Sequence, residues 1–265
     1  MRTNRQSVAK RLATLVLIGA FAALAVAPAF TFAASSSAIV ASSRLRNVSC
    51  PTNSCSTNWS GYAVTSGAGT VTFVKGSWTV PTATCDSNTA YSSFWVGIDG
   101  YNSGTVEQTG TDSDCSSGSP RYYAWYEFYP RPSFIISGLT VSAGDQITAQ
   151  VQYNGLKFVT TITDTTTGQS SSTSARVNSA QRSSAEWVAE APSSSGGVLP
   201  LANFGTVSFG STNQATISGV TKNIGAFSTV WQITMVTSGG VVKALPSSLA
   251  TDQSTFSVTW KSAGP

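Results

Sequence analysis

The chain has 265 residues, 15 basic and 11 acidic, and contains no histidine. Charged residues are 10 % of it, against about 25 % in ordinary soluble proteins. Without imidazole, Ser-His-Asp triads, Cys-His dyads and histidine-ligated zinc are excluded. Any catalysis here must run on carboxylates, amides and hydroxyls.

The first 34 residues read as a secretory signal peptide, with a retained membrane anchor as the competing reading. Arg2, Arg5, Lys10 and Arg11 form a basic start, an apolar run from Leu12 to about Val26 follows, and small residues surround Ala33 and Ala34. Residues 35–53 are Ser-rich and read as a short propeptide or a disordered N-terminal segment; residues 54–265 are of a size for one all-β domain. Four basic and no acidic residues precede Ser35, so the remainder carries 11 of each sign. The pI of 8.9 therefore belongs to the leader and implies neither nucleic acid nor an anionic membrane as partner. No later stretch is apolar enough to span a bilayer, so no transmembrane segment is expected once the leader is cleaved; the expected product is secreted, extracellular and monomeric. A surface rich in Ser and Thr and poor in carboxylates should tolerate acid.

The four cysteines, Cys50, Cys55, Cys85 and Cys115, allow three pairings. The favoured one joins Cys50 to Cys55 in a small ring and Cys85 to Cys115 around a longer loop. With no histidine and no Cys-x-x-Cys, no metal is expected, and no motif calls for another cofactor.

Past the leader, strand signals dominate. SSFWVGIDG sends Phe94, Val96 and Ile98 one way and Trp95, Gly97 and Asp99 the other. YYAWYEFYP, DQITAQVQYN, FVTTITDTTTG, VWQITMVT and TFSVTW alternate in the same manner. Period two with Val, Ile, Thr and aromatic residues predicts half-buried strands, and Gly/Ser/Asn/Pro clusters punctuate them. The predicted class is an antiparallel β-sandwich or barrel.

Three stretches put polar groups among aromatics: WVGIDG with Asp99, VEQTGTDSD with Glu107, Gln108, Asp112 and Asp114, and AEWVAEAP with Glu186 and Glu190. On a strand, Glu186, Val188 and Glu190 share one face. The two glutamates are then about 13 Å apart, too far to act on one atom, so a working carboxylate needs a partner from elsewhere. The plainer alternative is a solvated outer face bearing two inert glutamates.

Taken together, NWSGY (58–62), WTVPT (78–82), WVGIDG (95–100), EQTGTD (107–112), AWYEFYP (124–130), SAGDQI (142–147), AEWVAE (185–190) and FGTVSF (204–209) resemble, in this order, the glutamic peptidases, or eqolisins. The resemblance implies a lectin-like sandwich of two large curved antiparallel sheets with a substrate groove on the concave face. It implies a secreted acid endopeptidase acting on polypeptides through a catalytic pair, Gln108 and Glu190, with Trp59, Trp95, Asp99 and Glu127 among the substrate-binding groove residues. Glu190 would take a proton from the attacking water and return it to the leaving amine; Gln108 would position the water and stabilise the oxyanion. Tyr123, Ala191 and Pro192 depart from the pattern of a well-known member, which bears on subsite preference and pH optimum. A carbohydrate-binding or glycoside-hydrolysing sandwich is the rival reading. The sequons at Asn47 and Asn58 differ in prospect: Asn58 lies inside a motif and is expected to be packed.

Overall fold

The computed structural model describes residues 44–48, 50 and 54–264; the leader at 1–34 and most of the 35–53 segment lie outside the described residues. The first long strand, β1 (Trp59–Thr65), is followed by β2 (Val71–Thr79), β3 (Ser93–Ile98), β4 (Val106–Ser116), β5 (Ser119–Tyr129) and β6 (Gln146–Tyr153). Next come β7 (Phe158–Asp164), β8 (Ser170–Ala175), β9 (Ser184–Glu190), β10 (Thr206–Phe209) and β11 (Gln214–Ile217). The last three are β12 (Val230–Val236), β13 (Val242–Pro246) and β14 (Phe256–Trp260). Each alternating segment of the sequence falls on one of them. Among the described residues the only helix is the single 3-10 turn Ile224–Ala226, and no helix is long and apolar enough to cross a membrane.

The pairings form two antiparallel layers. One runs β5–β4–β3–β9–β1–β12. The other runs β8–β7–β6–β2, continuing from β2 to β11 and β10 and onward through β14 to β13. Strand β13 also pairs with β12, so the two layers join along one edge.

A core fills the space between layers. Phe94, Val96 and Ile98 from β3 and Ala185, Trp187 and Ala189 from β9 meet Val74, Trp78, Ile147, Val151, Val207 and Phe256 from the opposite layer. Each large apolar side chain so enclosed contributes about 1.5–3 kcal/mol. The Trp187 indole also donates to the Lys75 carbonyl at 2.8 Å, which satisfies its one polar atom.

Strands β3 and β9 are buried along their whole length, on both faces. Their second face carries a separate apolar cluster of Trp59, Ala63, Trp95, Val106, Trp125, Val188 and Ile233. The solvated-face alternative for Glu186 and Glu190 therefore fails: both are fully buried. The favoured disulfides are both present, Cys50–Cys55 and Cys85–Cys115.

Candidate active site

Register places the polar groups in three rows across β1, β9, β3, β4 and β5, since directly opposed residues of an antiparallel sheet share a face. The first row reads Trp59, Glu190, Ser93, Asp112, Tyr123. The second reads Gly61, Val188, Trp95, Gly110, Trp125, and the third Ala63, Glu186, Gly97, Gln108, Glu127. Successive rows lie about 7 Å apart along the strands. Every sequence-derived pocket residue except Asp99 stands in these rows.

Gln108 and Glu190 thus share a face, with β3 between them and the Trp95 row separating theirs. Trp95 spans that gap. Its indole N–H donates to Glu190 Oε2 at 2.9 Å. Its ring edge reaches over Gly97, where an added Cβ would meet Trp95 Cζ3 at 2.9 Å and Gln108 Cβ at 3.2 Å. A glycine at 97 is what lets the indole lie flat between the two polar residues. Trp59 closes on Trp95 edge-to-face, centroids 5.0 Å apart.

Each member of the pair has its own holder. Asn58 Nδ2 donates to Glu190 Oε1 at 3.2 Å. Gln108 Nε2 donates to Glu127 Oε2 at 2.6 Å, and Gln108 Oε1 is buried without a hydrogen-bond partner. Gln108 and Glu190 are not hydrogen-bonded to each other; what they share is the sheet face on which Trp95 stands between them.

Burial holds the Glu190 carboxyl well above the usual carboxylate range, and the charge of Glu127 adds to it, while the N–H donors of Trp95 and Asn58 pull it back; the Trp59 indole N–H is buried nearby without a hydrogen-bond partner. This alters the expectation of an ordinary carboxylate: in acid Glu190 carries its proton. Burial likewise raises Glu186, with Asp99 and Glu107 adding charge repulsion, and raises Glu107, which faces the core.

Asp99 sits apart. At φ 73°, a conformation Asp tolerates better than most residues, it accepts the backbone N–H of Arg182 at 2.6 Å and of Ser183 at 2.9 Å, plus the Ser183 hydroxyl at 3.1 Å. Its carboxylate pins the turn that launches β9, so it fixes where Glu186 and Glu190 fall.

Three contributors have no role that the sequence shows: Asn58, Asp112 and Asp114. Asn58 is packed as its motif predicts, and its place beside Trp59 at the start of β1 carries it to Glu190, a partner the sequence does not show. Asp112 and Asp114 were noted without a role. Tyr123 joins them: its hydroxyl lies 2.8 Å from Asp112 Oδ2 and 2.7 Å from Asp114 Oδ2, and the Trp125 indole donates to Asp112 Oδ1 at 2.6 Å. One hydroxyl hydrogen cannot serve both carboxyls, so the second contact requires a protonated aspartic acid as donor. Burial raises the Asp112 carboxyl to about 6, against hydrogen bonds from Ser93, Tyr123 and Trp125 that lower it. Asp114 is raised well above its usual range by burial, and then by the charge of Asp112. Among the described residues no cluster of His, Cys, Asp and Glu is arranged to hold a metal ion.

A two-layer antiparallel sandwich with a buried amide and carboxyl on one aromatic-lined face defines the class. Residues 57–260 match the family model described as the Peptidase A4 family, and the chain belongs to that family. It is 34 % identical over 188 residues to aspergillopepsin-2 of Aspergillus niger, covering 62 % of this chain and 65 % of that protein. It is 37 % identical over 129 residues to scytalidopepsin B of Scytalidium lignicola, covering 48 % and 47 %. The chain thus spans about half to two thirds of the length of the curated relatives it matches. Among solved structures it resembles scytalido-glutamic peptidase with a transition-state-analog inhibitor, at TM-score 0.66 and 30 % identity over 77 % of this chain and 98 % of that one. Aspergilloglutamic peptidase from Aspergillus niger matches at TM-score 0.57 and 29 % identity, over 65 % and 99 %.

Proposed function

We propose that this chain is a secreted acid endopeptidase that hydrolyses peptide bonds with Glu190 and Gln108. The observation that carries the reading is a fully buried carboxyl held by Trp95 and Asn58, and a buried amide with an unused oxygen, on one aromatic-lined sheet face. Relatives of known structure support it: one is a glutamic peptidase bound to a transition-state-analog inhibitor, and another is an eqolisin complexed with the tripeptide Ala-Ile-His.

In this reading Gln108 Oε1 accepts a hydrogen from the attacking water and aims its oxygen at the scissile carbonyl carbon. Glu190 enters protonated. It gives its proton to the carbonyl oxygen as the water adds, and takes one back from that water, leaving a neutral tetrahedral diol. In the second step Glu190 protonates the amide nitrogen, the C–N bond breaks, and the diol loses a proton to the Glu190 carboxylate as the product acid forms. One carboxyl serves as acid and base in turn, and the neutral amide needs no titration to hold its place. The reading differs from the sequence expectation in its first step, because burial leaves Glu190 protonated at the start.

Trp59 and Trp95 form the floor against which the peptide lies, Glu127 orients Gln108, and Asp99 sets the start of β9. Export follows from the leader reading of residues 1–34, with residues 54–265 as the working domain, acting as a monomer. The test is cleavage of an unfolded protein between about pH 2 and 4. Proteolysis that disappears in Glu190→Gln supports the reading. Sugar binding without proteolysis at any acidic pH would replace it with the carbohydrate reading.

A further inference from the structure

The balanced charge of the sequence conceals an unbalanced surface. All 11 acidic residues lie among the described residues, and nine of them are buried, leaving Asp86 and Asp252 exposed. Of the 11 basic residues beyond Ser35, only Lys243 is buried. Carboxyl groups therefore stand inside and cations outside. Burial also keeps Glu107, Asp112, Asp114, Glu186 and Glu190 protonated in acid, so they offset little of the outer charge there.

Four of these cations gather where the 176–183 connection, between β8 and β9, passes the end of β5 and the turn between β6 and β7. Arg131 Nη2 donates to the Arg176 carbonyl at 3.5 Å, and both residues line a cavity of about 300 Å³ with Phe128 and Pro130. Arg182 lies over the Tyr153 ring, 4.1 Å from its centroid, and lines a second cavity of about 250 Å³ with Tyr153 and Leu156. Val177 and Asn178 border both cavities, and the exposed Lys157 follows Leu156. Among the described residues, no acidic side chain lines either cavity. Asp99 meets this connection, but it is fully buried and its carboxylate is engaged by the N–H groups of Arg182 and Ser183. Asp145 and Asp164 stand at the opposite ends of β6 and β7, about 20 Å away. The patch is also separate from the groove: β5 ends at Tyr129, about 20 Å along the strand from Tyr123 in the Glu190 row.

A guanidinium stacked on an aromatic ring keeps its in-plane N–H groups for oxyanions, and a free one binds carboxylate or sulfate through two parallel hydrogen bonds. Two small cavities side by side, each with its own arginine edge, fit a flexible chain that carries an anion on successive units. Ring hydroxyls of such a chain meet the Asn178 amide on the shared rim, which serves as donor and acceptor. A stiff nucleic-acid duplex cannot enter either cavity. We propose that Arg131, Arg176 and Arg182, with the two cavities between them, form a docking surface for an acidic polysaccharide. Binding there leaves the groove open and fixes the protein to an anionic matrix. The surface goes beyond the peptidase reading and shares no residue with it.

The test uses the full chain and immobilised dextran sulfate, with neutral dextran as the control, at about pH 5 and low salt. The exposed pair is removed in Arg131→Gln/Arg176→Gln. A matched control, Arg121→Gln/Lys261→Gln, removes the same charge at the other end of β5 and beside the Cys85–Cys115 disulfide. The parent chain should be retained by dextran sulfate alone and released by salt. The Arg131/Arg176 variant should bind about ten-fold more weakly, the scale of one lost hydrogen bond to a charged group, and the control variant less than about two-fold. Adding Arg182→Gln should weaken binding further; if that triple variant fails to fold by circular dichroism, the exposed pair still decides. Polygalacturonate as a soluble competitor sets carboxylate against sulfate, and arginine-dependent binding of either polymer supports the surface. Equal losses in the two double variants, or a parent chain retained no better than on neutral dextran, would overturn it. Duplex DNA bound as tightly through the same arginines would overturn the polysaccharide assignment.

Discussion

Raising the pH should unfold this protein from within. Asp112 is the clearest case, because its carboxyl moves from 3.8 to about 6 on folding. A shift of roughly two units is worth about 3 kcal/mol at 1.36 kcal/mol per unit. The folded state holds this proton more tightly than the unfolded chain. The contribution is therefore complete below about pH 4 and is lost as pH rises through about 6. Glu107, Glu186, Glu190 and Asp114 are raised by burial in the same direction and add to the decline. Asp164 and Asp252, lowered by local hydrogen bonds, act oppositely and only in strong acid. Lys243, pushed down to about 8 by burial, titrates above this window. Urea unfolding followed by circular dichroism from pH 3 to 8 should show stability falling across this range. Asp112→Asn, which keeps an acceptor for Trp125, should flatten that fall by about 3 kcal/mol. A parent chain equally stable at pH 3 and pH 8, or a variant whose pH slope is unchanged, would refute the reasoning.

Three further outcomes follow from the site. Trp95→Phe removes the indole N–H from Glu190 Oε2 and should move the alkaline limb of the kcat/KM profile upward by about one pH unit, the scale of one hydrogen bond to a charged group. Gly97→Ala places a methyl against Trp95 and the Glu107 backbone; kcat should fall at least ten-fold, with a stability loss of about 1–3 kcal/mol by calorimetry. Breaking Cys85–Cys115, whose cysteines are 30 residues apart in sequence, should cost about 3–4 kcal/mol in denaturant unfolding.

The strands were readable because their periodicity is strong where one face packs and the other is polar, as in Gln146–Tyr153. In Ser93–Ile98 and Ser184–Glu190 the same alternation gave the correct faces. It could not say that the second face is also buried, because enclosing Glu190 depends on Trp59, Asn58 and Trp95, distant in sequence. Spacing alone showed that Glu186 and Glu190 cannot work as a pair. Register then showed which polar groups stand in line with each, something only strand pairing decides. Asp99 illustrates the limit of carrying a motif over: its place in WVGIDG was evident, whereas its grip on Arg182 and Ser183 arises from chain closure over more than eighty residues. Asn58 was hidden because an Asn ahead of a Trp carries no signature of its partner.

The most direct measurement compares the parent chain with Glu190→Gln and Gln108→Ala in cleavage of an unfolded protein at about pH 3, with circular dichroism to confirm folding. Glu190→Gln keeps the shape and removes the proton that the mechanism moves, and loss of a positioned acid and base costs on the order of 10²–10⁴-fold. Folded variants that have both lost proteolysis to this degree would bear out the pair. Full activity in either folded variant would contradict it.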